Sequence, residues 1–235
     1  MAEPTPVTGR TASRRQYAVP VAGAVMAVAG TTAVAGLADS ATESNGLAAF
    51  DPRLTTDVLG VRSTPLTDLA RALTFIGDVP VLCVLVVVAA YLFWRRTGSY
   101  RAPGLLLAAM AGSAVLTTGL KSLVGRHRPG IAYVLGPVDT GYAFPSGHTL
   151  NSAVFFGTVA ALVLGGLQSR RARVSVVLGA ALISLGIGLS RLYLGYHWAT
   201  DVLAGWLVAM TWLIIVGTVA YLTRPVPEPG EDLIR

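Results

Sequence analysis

The sequence predicts an all-α fold: a polytopic membrane bundle of six transmembrane helices, with a short interfacial helix in the first outer loop. Three observations carry that expectation. Hydrophobic residues make up 53% of the 235 residues and charged residues only 13%, and the mean hydropathy is +0.62. That balance excludes a disordered chain and argues against an ordinary soluble domain. The apolar residues collect in six uncharged runs, and most arginines outside one central stretch fall at alternate ends of those runs.

In chain order the runs are 18–38, 79–94, 102–120, 149–167, 174–189 and 202–222. A helix needs about 20 residues to cross about 30 Å of hydrocarbon, so four of them fit directly. The second and fifth are short. They are expected to borrow flanking residues, 73–77 for the second and Ser190 onward for the fifth, or to be met by local bilayer thinning. Gly179, Gly186 and Gly188 suit close helix contact in the fifth. Ser13-Arg14-Arg15 ahead of the first run also resembles an export signal, but a run of 21 residues favours a retained helix.

Between the spans, residues 67–75 carry Leu69, Ala70 and Leu73 at helical spacing just after Leu66, which is the expected interfacial helix. Residues 130–144 are turn-rich and form a candidate lid or rim. Trp94, Trp198 and Tyr221 read as interfacial anchors, and Cys83 reads as a packing residue, without a disulfide or metal role. The membrane domain spans 17–223; residues 1–16 and 224–235 are expected to be mobile cytoplasmic tails.

Orientation follows the arginines. Arg10, Arg14 and Arg15, then Arg95, Arg96 and Arg101, then Arg170, Arg171 and Arg173 mark the cytoplasmic side, which puts both termini inside a plasma membrane. The acid-rich connection 39–78 lies outside. The net charge of +6 and pI of about 9.9 need no nucleic-acid partner, because the positive residues sit at span ends.

Three segments break the apolar pattern: 121–129 (KSLVGRHRP), 145–148 (PSGH) and 190–201 (SRLYLGYHWATD). Cations in or beside hydrocarbon cost roughly 2.5 kcal/mol or more at the bilayer centre, and a bound anion is the simplest compensation. Lys121, Arg128 and Arg191 supply the charge. Ser146 and Gly147 stand where the fourth span begins, so free amides at its N-terminus can point at an anion; Ser146 also suits a plain N-cap. His197 and Asp201, four apart, would lie about 40° apart around a helix and could touch. His148 arrives from another helix. Arg126 and His127 fit no required position and read as a solvated basic rim.

The pattern K-x6-R-P, P-S-G-H, S-R-x5-H-x3-D is similar to the three-part signature of the type 2 phosphatidic acid phosphatase superfamily, and the apolar surroundings resemble its bacterial membrane branch. The resemblance implies a metal-independent membrane lipid phosphatase without a cofactor, acting on a lipid phosphomonoester or pyrophosphate such as polyprenyl pyrophosphate, phosphatidic acid or phosphatidylglycerophosphate. It implies that His197 is the nucleophile forming a phosphohistidine, that His148 is the general acid, and that Asp201 orients His197; spacing alone does not divide the two histidine roles. Lys121, Arg128, Arg191, Ser146 and Gly147 would bind the phosphate. Phosphoryl transfer is mainly positioning and charge stabilisation, which cations and amides can supply. A phosphoryl or headgroup transferase would use the same site, and a phospholipid or anion transporter would explain the cations but not the pairing of His197 with Asp201. The active site is expected to face the extracytoplasmic side.

Overall fold

The structure is a computed structural model that describes residues 14–224, with side chains from Tyr17. Among the described residues there are eight α-helices and no strand: α1 Arg14–Glu43, α2 Asp51–Gly60, α3 Thr64–Ile76, α4 Val79–Thr97, α5 Arg101–Val124, α6 Gly147–Leu164, α7 Arg170–Tyr193 and α8 Ala199–Leu222. Six of these, α1 and α4 to α8, are long and apolar enough to cross a membrane. The expected tails fall outside the described residues, except that Arg14 to Gln16 already belong to α1 and that Arg224 stacks on the Tyr221 ring at 4.4 Å.

Central α6 packs against α4, α5, α7 and α8, while α1 lies along α8. Ala109, Leu150, Val154, Val208 and Ala209 meet Val34 of α1 in one core, and Leu82, Val86, Leu106 and Phe155 form a second between α4, α5 and α6. Outward faces stay apolar, as with Val84, Val87 and Val88 on α4, because their solvent is lipid. Polar ties between spans are few and specific: Trp212 Nε1 donates to Ala109 O at 2.8 Å across α8 and α5.

Several sequence expectations are corrected. The second span does not borrow residues 73–77. It starts at Val79 and reaches 19 residues by continuing to Thr97, because Gly77 and Asp78 break the chain between α3 and α4. The connection between α1 and α4 holds α2 and a 3-10 turn at Gly46–Phe50 as well as α3. Within α7, an added Cβ at Gly188 would press on Trp206 and one at Gly186 on Leu73, but Gly179 has nothing near it and makes no close helix contact. Cys83 is exposed on α4, so it faces outward instead of packing in the core.

Since spans alternate in direction, the end of α1, the start of α4, the end of α5, the start of α6, the end of α7 and the start of α8 gather at one end of the bundle. The loops at this end are strapped together. Arg62, between α2 and α3, donates to Tyr133 O at 2.7 Å and to Tyr193 O at 2.7 and 3.1 Å. Gly195 follows with φ 79°, and a side chain there would strike Tyr133 O.

Candidate active site

All eight sequence-predicted site residues lie at that end. Lys121 sits in the last turn of α5, which closes at Gly125 with φ 64° and so turns the chain toward Arg128. Ser146 is the N-cap residue of α6 and Gly147 and His148 its first residues; Arg191 is in the last turn of α7, His197 in the turn before α8, and Asp201 in the first turn of α8. Ser146 N donates to Asp201 O at 3.0 Å, so the starts of α6 and α8 are joined backbone to backbone.

The geometry fixes the His197 tautomer. Arg128 Nη1 lies 3.2 Å from His197 Nε2. A guanidinium can only donate, so Nε2 must present its lone pair and the proton must reside on Nδ1. Nδ1 faces Asp201 Oδ2 at 3.4 Å without forming a hydrogen bond. The ring is 1% exposed. Burial first, then the charges of Arg128, Arg191 and Lys121 and the nearby His148, holds its pKa well below the ordinary histidine value, which keeps the imidazole neutral near pH 7.

Since α8 begins only at Ala199, His197 and Asp201 do not share a helix as their spacing suggested. Asp201 is instead the third residue of α8, and its Oδ2 accepts from Trp198 N at 2.9 Å. Its Oδ1 accepts from Arg126 Nη1 at 2.7 Å. Arg126 is therefore not a solvated rim residue: its side chain is 10% exposed, and its Nη2 pairs with Asp51 Oδ2 at 2.8 Å. Asp51 Oδ1 in turn accepts from Thr200 N at 3.0 Å. Buried charge of this kind must be paired, and the partner comes from the start of α2. His127 is exposed, in keeping with the rim reading. Trp198 is less an anchor than a brace, with Nε1 donating to His127 O at 3.0 Å and its ring 5.6 Å from the Arg126 guanidinium.

Five further partners are not marked by the sequence pattern. Asp78 Oδ1 lies 2.7 Å from His148 Nε2. Thr74 Oγ1 accepts from Arg191 Nη1 at 2.9 Å, and the Arg191 guanidinium stacks over the Tyr196 ring at 4.0 Å. Asp139 Oδ2 is 3.0 Å from Arg128 Nη2 and 3.3 Å from Arg191 Nη2. Lys121 Nζ donates to Tyr142 O. The Ser146 hydroxyl makes no helix cap and accepts from Thr149 Oγ1 at 3.0 Å. Among the described residues no group of three or more His, Cys, Asp or Glu side chains is placed to hold a metal ion. The available signal for the missed residues was the run of acids in the loops at this end, set beside an unusual concentration of cations.

Comparison with known proteins agrees in fold and family. The family model for the PAP2 superfamily matches residues 102–224, more than half of the chain. Phosphatidylglycerophosphatase B of Bacillus subtilis is 28% identical over 183 residues, covering 75% of this chain and 86% of that protein. An undecaprenyl-diphosphatase of Sulfolobus acidocaldarius is 33% identical over 101 residues, covering 43% of this chain and 44% of its own. The crystal structure of a transmembrane PAP2-type phosphatidylglycerolphosphate phosphatase from Bacillus subtilis superposes with a TM-score of 0.77 at 22% identity, over 84% of this chain and 97% of that one. LpxE of Aquifex aeolicus superposes with a TM-score of 0.56 at 23% identity, over 71% of this chain and 94% of that one. With its signature segments gathered at one end of a six-span bundle, the chain belongs to the PAP2 superfamily and has the fold of its bacterial membrane phosphatases.

Proposed function

We propose that this protein is a lipid phosphatase that cleaves a phosphomonoester or pyrophosphate headgroup through a phosphohistidine on His197. The observation that carries the reading is the His197 Nε2 lone pair, aimed at the cation Arg128 in a cluster that also holds Lys121, Arg191 and His148. A neutral imidazole facing a cationic cradle is what attack on a bound phosphoryl group requires. Nε2 forms the bond to phosphorus as the bond to the leaving oxygen breaks, and His148 gives that oxygen its proton. Water then cleaves the N–P bond, with His148 as base, and inorganic phosphate departs. Arg128, Arg191 and Lys121 balance the oxygen charge, and amides at the start of α6 assist. Asp201 receives the Nδ1 proton's dipole and stabilises the charged ring as the bond forms. Arg126 and Asp51 act as positioning residues by holding Asp201.

Apolar outward faces let the lipid tail remain in the bilayer while the headgroup enters, and the extracytoplasmic orientation follows from the arginine pattern. A match over three quarters of the chain to a phosphatidylglycerophosphatase favours a glycerolipid phosphomonoester, and the shorter match to an undecaprenyl-diphosphatase keeps a polyprenyl pyrophosphate beside it. The test is phosphate release by the detergent-purified protein from phosphatidylglycerophosphate, phosphatidic acid and a polyprenyl pyrophosphate. His197→Ala is expected to reduce turnover by about 10³-fold or more while the variant still binds inorganic phosphate. Undiminished hydrolysis in that variant overturns the assignment.

A further inference from the structure

The connection from α5 to α6 does more than join two spans. Its segment 139–142 supplies an acceptor to each cation of the cradle: Asp139 Oδ2 stands 3.0 Å from Arg128 Nη2 and 3.3 Å from Arg191 Nη2, Gly141 O accepts from Arg128 Nε at 3.0 Å, and Tyr142 O accepts from Lys121 Nζ. One carboxylate oxygen shared by two guanidiniums is the arrangement a phosphoryl oxygen would adopt between them. The three cations come from α5, the loop after it and α7, so nothing local to any one element explains why a single loop segment should satisfy all three. The Arg128 and Arg191 side chains are 15% and 5% exposed, whereas that of Asp139 is 38% exposed.

We propose that Asp139 is an internal stand-in for the phosphoryl group: its carboxylate occupies the cradle, yields to the arriving headgroup, and returns when inorganic phosphate leaves. The proposal rests on the phosphatase reading above. Two guanidiniums so close together repel without an anion between them, so the carboxylate keeps them spaced for the substrate. The same carboxylate is tethered at high effective concentration. It therefore weakens every competing anion by one common factor, set by how fully the covered state is occupied. Product phosphate carries the same oxygens as the substrate headgroup and would otherwise linger in the cradle.

The decisive measurement is binding of inorganic phosphate and of sulfate to the full-length protein in detergent, wild type against Asp139→Asn, by calorimetry. Both anions are expected to bind about tenfold more tightly to the variant, by the same factor, with product inhibition by phosphate strengthened to match. Asp139→Ser should reproduce the result, which guards against a defect peculiar to one side chain. Unchanged or weakened binding overturns the proposal, and so does tightening of one anion only, which would make Asp139 a direct ligand contact. Tightened binding in a protein that hydrolyses no lipid would defeat the phosphatase reading alone; robust hydrolysis with unaltered anion affinity would defeat only the stand-in.

Discussion

The His197 ring carries a consequence for pH at the scale of single residues. In the unfolded chain an imidazole takes up a proton near pH 6.5, whereas burial and three neighbouring cations keep this one neutral. The unfolded state therefore binds more protons as pH falls below about 6.5, and the native state loses up to about 1.4 kcal/mol per pH unit there. Thermal unfolding in detergent at pH 7.5 and 5.5 should show wild type losing more stability on acidification than His197→Gln; parallel losses would refute the shift. Arg126 gives a second prediction. Arg126→Gln leaves the buried carboxylates of Asp51 and Asp201 without their shared counter-charge and should lower kcat by about tenfold or more with a much smaller change in KM. A change confined to KM would place Arg126 in binding. The lettered signature pointed to all eight residues that the structure gathers at one end of the bundle, but not to Arg126: a lone arginine next to other cations looks solvated until Asp51, 75 residues earlier, is folded against it.

Whole elements were legible where burial in lipid dictates composition, and illegible where docking dictates it. All six spans were visible as apolar runs. Helix α2, with the sequence DPRLTTDVLG, has three charges and no apolar run, and it holds its place partly through Asp51 on Arg126 and Thr200. The break before α4 was hidden for a similar reason. Asp78 stands at the N-cap of α4 but makes no cap, because its carboxylate is spent on His148. The turn entering α8 passes through Gly195 at φ 79°. Gly195→Ala would force a side chain into left-handed backbone and against Tyr133 O, costing about 1–3 kcal/mol. A lower Tm in detergent checks this, and an unaltered Tm would show that the turn can relax.

At the scale of the molecule, the arginine-rich ends of α4, α5 and α7 lie opposite the cluster of signature residues, which predicts an outward site. In a Cys83→Ala background, Arg53→Cys is expected to react with a membrane-impermeant maleimide in intact cells, and Gln168→Cys only after lysis. The reverse pattern would invert the protein. Span number was legible; the joining of the loop between α1 and α4 to the signature segments was not, since it depends on contacts between residues 70 to 149 positions apart.

That joining bears on how such chains are recognised and divided. The match to the family model begins at residue 102, yet the carboxylate on His148, the hydroxyl on Arg191 and the counter-charge on Arg126 all come from upstream, from Asp78, Thr74 and Asp51. A fragment starting there would keep every diagnostic letter and lose the scaffolding that aims them. Inheritance of the motif alone, by fusion or truncation, would not transmit a working catalyst.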